Sequence, residues 1–223
     1  MPPHLQPQGP FPCWYVILPG AGPAPPWPKD RDRFVFLAAL RRALDRHGAG
    51  CTGFCLLPGS AHLMLEAAPE TLRQAVAEAC RGYGRYWRGW YAGPRRVFRP
   101  ARAAAVPPEL WWDALAHLET APVRAGLAVA AEDYRWSSAA VHAGWAQPYL
   151  RVEPDEWSAC WSCRQWHERL AGWGSDLRSM KAVLRLVEGA RPFRALAALA
   201  AAPSSAPLFP EPAQAARAAA GWI

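Results

Sequence analysis

Between Arg73 and Arg102 the chain carries eight arginines and one acid, Glu78, a surplus that equals the formal charge of +7 on the whole molecule. Guanidinium groups grip phosphate oxygens bidentately, and each such contact releases condensed counterions. A concentrated arginine run is therefore the electrostatic footprint of a polynucleotide backbone. The plain alternative is a solvated face in an arginine-biased proteome. The same stretch holds Arg81-Gly82-Tyr83-Gly84-Arg85-Tyr86-Trp87-Arg88. On a helical wheel Tyr83, Tyr86, Trp87 and Trp90 fall within about 100°, and Arg81, Arg85 and Arg88 within about 60° on the other side. An aromatic stripe opposite an arginine stripe is a core face and a solvent face. The wheel leaves open whether Tyr83 also faces the sheet. His62, taken alone in an apolar strand, reads as a hydrogen-bonded structural imidazole. Cys160-Trp161-Ser162-Cys163 lacks a second cysteine pair and Cys51 and Cys55 flank a different strand; His167, four residues after Cys163, leaves a zinc site as the lesser alternative to buried or inert thiols.

The elements that position these residues follow from periodicity. Cys13–Leu18 is a continuous apolar, β-prone run closed by Pro19-Gly20, hence a strand. Asp30 or Asp32 can cap a helix with Phe34, Leu37, Leu40 and Leu44 on its apolar face, stopped by Gly48 and Gly50. Cys51–Leu57 and His62–Glu66 form a hairpin around Pro58-Gly59-Ser60. A helix from about Glu70 to Trp90, a weaker strand over Val97–Val106, and a helix opened by Pro107-Pro108 complete this part. Strand–helix–strand–strand–helix–strand predicts an α+β fold with a ferredoxin-like antiparallel sheet and helices on one face. Glu156–Leu170, Asp176–Val187 and Arg191–Ala201 predict a C-terminal helical extension. The divisions expected are an α+β domain over 10–146, a helical region over 147–202 and a flexible Ala/Pro-rich tail over 203–223.

Composition narrows the class. With 223 residues, 52% of them hydrophobic and 19% charged, the chain is long and apolar enough for a packed domain. No apolar run is long enough to span a membrane, and Met1-Pro2-Pro3-His4 does not open a signal peptide. Six cysteines in a chain this long are no disulfide framework, so a cytoplasmic protein with reduced thiols is expected. Lysine occurs only at Lys29 and Lys181, and asparagine is absent, which suggests a GC-rich genome.

Several segments match one family in order. Leu57-Pro58-Gly59-Ser60-Ala61-His62 resembles the Met-Pro-Asn-His-x-His turn of REP-associated tyrosine transposases, members of the single-tyrosine HUH transposase superfamily. Arg81–Tyr86 resembles the Arg-Arg-Tyr-x-Arg-Tyr of their nucleophile helix. Ala121-Pro122-Val123-Arg124-Ala125-Gly126-Leu127 is similar to Asn-Pro-Val-Arg-Ala-Gly-Leu, and Asp133–Ser138 to Asp-Tyr-x-Trp-Ser-Ser. Gly189–Phe193 resembles a Gly-Arg-Pro-Leu-Gly element. The resemblance implies cleavage of single-stranded DNA at the foot of a hairpin. In that chemistry a strand-borne pair of histidines holds Mg²⁺ or Mn²⁺, and a tyrosine attacks phosphorus to leave a phosphotyrosine. It implies Tyr83 and Tyr86 as nucleophile candidates and His62 with Glu66 as what remains of the metal site. Arg81, Arg85, Arg88, Arg95, Arg96, Arg99, Arg102 and Arg124 are the expected DNA contacts.

The departures are as informative. Ser60 stands where the first histidine belongs, and a hydroxyl is a poor substitute for imidazole on a divalent ion. Arg88 stands where the family has asparagine, and the downstream Leu-Trp-Gln-Gly-Arg-Phe element is degraded to Val97–Arg102. The expected function is therefore binding of hairpin or single-stranded DNA with weak or lost metal-dependent cleavage. The ion, Mg²⁺ or Mn²⁺, belongs only to an active form. The alternatives are an active transposase with a rearranged site and a domesticated protein-interaction module. The partner is DNA rather than a membrane, as a monomer or a homodimer. If metal binding alone has failed, Ser60→His with Arg88→Asn should restore it.

Overall fold

The computed structural model describes residues 11–91, 96–146, 149–150, 152 and 154–193. Arg95, the 194–201 helix expectation and the 203–223 tail lie outside the described residues. The chain runs β1 (Cys13–Pro19), α1 (Asp30–His47), β2 (Gly50–Leu57), β3 (Ser60–Glu66), α2 (Pro69–Trp90), β4 (Arg102–Ala105). With β5 (Arg191–Pro192) these strands form one antiparallel sheet in the order β2-β3-β1-β4-β5. The first four strands keep the expected ferredoxin-like arrangement. Six further α-helices follow β4 among the described residues: α3 (Trp111–Glu119), α4 (Ala121–Arg124), α5 (Ala139–His142), α6 (Pro154–Cys160), α7 (Cys163–Gly172) and α8 (Leu177–Glu188).

The unbroken apolar run of β1 is explained by burial on both faces. Trp14, Val16 and Leu18 join Ala61, Leu63 and Leu65 of β3 under α1 and α2, with Phe36, Leu40, Val76 and Tyr83 completing that core. Cys13, Tyr15 and Ile17 join Cys55 and Met64 on the opposite face, covered by α3 and the C-terminal helices through Leu115, Leu118, Trp166 and Val183. The ferredoxin-like layer thus has its helices on one face, and the helical extension closes the other.

Local chemistry sets the ends of the elements. Neither Asp30 nor Asp32 is the N-cap of α1. Lys29 is, and the buried Asp32 carboxylate reaches back to accept its backbone N–H at 2.8 Å. Gly48 ends the helix at φ 65°, a left-handed position suited to glycine. Phe34 departs from the expected core face: Phe36, Leu37, Leu40, Ala43 and Leu44 are buried, whereas Phe34 is 38% exposed.

The Val97–Val106 strand is shorter than expected. Pro100 cannot donate to a ladder, so pairing starts at Arg102 and Phe98 makes only an isolated bridge to Gly20. The Glu156–Leu170 helix is two helices, because Ser162 caps α7 in a reciprocal box with Gln165. Arg191 and Pro192 are strand rather than helix. Proline is tolerated on this outer edge, and Arg102 fastens the segment by donating to the carbonyls of Ala190 and Glu188. The other edge is closed by Tyr134–Ser138. Leu56 donates to the Trp136 carbonyl, Ser138 to the Phe54 carbonyl, and the Tyr134 hydroxyl to the Leu56 carbonyl, all within 2.9 Å.

Candidate nucleic-acid interface

The outer face of α2 and the segment after it enclose a groove of about 780 Å³. Arg73, Arg81, Arg85 and Arg88 rise from the helix, Arg96 and Arg99 from the opposite wall, and Cys80, Val97, Phe98, Ala101 and Phe193 form an apolar floor. All six arginines are exposed, and among the described residues no acidic side chain lines the groove. Arg73 is ion-paired with Glu70, while Arg81, Arg85, Arg88, Arg96 and Arg99 make no ion pair among the described residues. Helical spacing explains the row: 81, 85 and 88 recur at four and three residues and so share one face. Opposite them, Tyr83 and Trp87 enter the core.

The expected arginine set therefore divides. Arg102 lies outside the groove, because its guanidinium is engaged by the carbonyls next to β5. Arg124 is on the far side of the sheet. Its guanidinium donates to Thr120 Oγ1 (2.6 Å), the His117 carbonyl (2.8 Å) and His117 Nε2 (3.1 Å), and it has no carboxylate partner among the described residues.

His62 also lies on that far side. Its Nδ1 is 3.1 Å from the Tyr15 hydroxyl and its Nε2 is 3.1 Å from the Ser60 hydroxyl. Desolvation, reinforced by the Arg124 charge, pushes its pKa down to about 4. His117, buried beside it, falls to about 3 for the same reasons. Because arginine only donates, His117 Nε2 must accept, which assigns its proton to Nδ1, a buried atom with no hydrogen-bond partner among the described residues. Burial also raises the Tyr15 phenol and the Cys55 thiol.

A divalent ion does not fit this donor set. Both His62 nitrogens already face hydroxyls, a guanidinium stands nearby, and no three His, Cys, Asp or Glu side chains gather among the described residues. Glu66 shares the strand face of His62 but lies four residues along it, paired across to Cys13 and Gly50.

The structure does not bring the candidate tyrosines to His62. Tyr83 packs under α1 with Phe36 and Phe98, on the α1–α2 face, and donates to the Pro26 carbonyl at 2.6 Å. Tyr86 donates to the buried Asp32 carboxylate at 2.7 Å, where Tyr91 also donates at 2.8 Å. Burial first, and the Asp32 charge second, raise the Tyr83 phenol. Burial and the hydrogen bond to Asp32 push Tyr86 to about 12. Both environments disfavour the phenolate a nucleophile needs. The sheet itself separates these rings from His62, and Arg88 is in the groove rather than beside the imidazole. The helical wheel gave no signal of this, because the facing element is a property of the sheet. Tyr15 and His117 were missed as neighbours of His62; the one available signal was the seven-residue spacing from His117 to Arg124, two helical turns.

No family model matches the sequence, and no curated protein matches it. Among solved structures the chain is similar to a REP-associated tyrosine transposase bound to a REP hairpin, with a TM-score of 0.49 at 10% identity. The match covers 68% of this chain and 92% of that one.

Proposed function

We propose that this chain binds DNA, in hairpin or single-stranded form, through the arginine groove of α2, and that it does not cleave what it binds. The observation that carries the reading is the groove: among the described residues, five arginines without ion pairs lie over an apolar floor with no acid in the lining. An unneutralised cationic row is electrostatically costly in a free protein and is relieved by a polyanion. The sequence resemblance supplies DNA as the polyanion. Loss of cleavage is supported by hydrogen-bonded tyrosines on the wrong side of the sheet and by a His62 environment that suits no divalent ion.

The test is hairpin-oligonucleotide affinity measured against salt for wild type, Arg85→Glu with Arg88→Glu, and Arg164→Glu on the exposed face of α7. Removing one arginine–phosphate interaction should reduce the slope of log affinity against log salt by about 0.9. The groove variant should bind at least tenfold more weakly, since a single charge-assisted hydrogen bond is worth about 1.5–3 kcal/mol. Arg164→Glu should bind as wild type does. Equal affinity of the groove variant and wild type would remove the reading.

A further inference from the structure

The first turn of α1 exposes an aromatic ring on a helix face that is otherwise polar or small: Phe34 sits in the row Arg31, Phe34, Ala38, Arg41. It makes edge contacts with Trp136 (centroids 4.9 Å apart) and Tyr149 (5.1 Å), and Tyr149 is itself 42% exposed. The Arg135 guanidinium lies 4.7 Å from the Trp136 ring and 5.7 Å from Phe34. Three residues before Phe34, Arg31 stacks over Trp90 at 4.2 Å, and Trp90 is 61% exposed. Residues three apart on a helix are surface neighbours, so Arg31 joins the Trp90 stack to the Phe34 cluster in one surface of alternating rings and guanidiniums. Asp30 is held by Arg33 and Arg135, and the buried Asp32 lies 3.8 Å from Arg31, so three arginines face two carboxylates and the balance is positive. Trp90 and the groove residue Arg88 stand in the same last turn of α2.

We propose that this surface is a stacking platform for unpaired bases of the same DNA whose phosphates occupy the groove. The inference rests on the DNA-binding reading above. A single strand presents in alternation what such a surface complements, a π-face on each base and a negative charge on each linkage, whereas a closed duplex hides its base faces. Large aromatic rings left in water are otherwise a cost, and here exposed Phe34, Trp90 and Tyr149 belong to one end of the α1–α2 layer.

The experiment compares a hairpin oligonucleotide carrying a short single-stranded thymidine flank with the same hairpin without it. Binding is read by fluorescence anisotropy, with the melting temperature of each variant as a check on folding. Trp90→Ala and Tyr149→Ala should each weaken the flanked hairpin by roughly five- to hundredfold and leave the flankless one unchanged within about twofold. Trp90→Phe, which returns a π-face, should recover most of the loss. Arg85→Glu should weaken both substrates. Aromatic variants that bind both substrates as wild type does, or weaken both equally, overturn the platform and leave the groove standing. The same holds if they change only the sedimentation coefficient, which would make the surface a contact between copies. Wild type that binds neither substrate removes the DNA-binding reading and the platform with it.

Discussion

His62 and His117 show how neighbours decide the chemistry of a side chain. Each is an imidazole held neutral by desolvation and by a guanidinium, with pKa values near 4 and 3. In the unfolded chain both protonate near 6.5. The folded values are depressed, so their contribution to stability is fully present above about pH 6.5 and is lost as the pH falls toward 4. The unfolded state binds the extra protons in that window, at about 1.4 kcal/mol per pH unit for each imidazole at most. Urea unfolding at pH 7.0, 6.0 and 5.0 should show this fall, and His117→Gln should flatten it. Stability unchanged from pH 7 to 5 would contradict the buried neutral assignment. The sequence placed His62 on a strand face correctly; burial and Arg124 are what set its protonation.

At the scale of elements, Glu119 is the tie between layers. It is fully buried at the end of α3, and it accepts from Ser138 Oγ (2.5 Å), His142 Nδ1 (2.6 Å) and Trp166 Nε1 (2.8 Å). Those donors belong to the segment closing β2, to α5 and to α7. One carboxylate thus fixes the sheet edge and the helical extension to α3. Glu119→Ala should cost about 3–5 kcal/mol, since it leaves buried donors without a partner, and a denaturant midpoint shift measures it. A shift of under about 1 kcal/mol would mean the network contributes little beyond packing. The Tyr134–Ser138 motif owes its spacing to this edge, where alternate residues must meet the free groups of Phe54 and Leu56.

For the molecule as a whole, the sheet is a partition. Arginine groove and aromatic surface lie on the α1–α2 side, and His62, His117 and Arg124 on the other. A hairpin incubated with Mn²⁺ should therefore yield no covalent protein–DNA adduct on a denaturing gel, from wild type or from Ser60→His. Adding Arg88→Asn should not rescue it, because position 88 faces the groove, and should instead weaken binding. An adduct that disappears with Tyr83→Phe would show that the chain rearranges so that Tyr83 crosses to His62.

Strand and helix order from β1 through β4, the antiparallel hairpin bearing Ser60 and His62, and the arginine face of α2 were all legible in the primary structure. Each is encoded in spacing of two, three or four residues, which local backbone geometry converts directly into faces. Which side of the sheet each face meets was settled by tertiary packing alone. Strand alternation makes two faces but does not say which helices cover which. That choice put Tyr83 in the core under α1, brought the Arg124 charge to His62, drew Arg102 to the carbonyls beside β5 and left Phe34 in water. Long-range packing made those decisions, because each depends on residues far along the chain that no local period records.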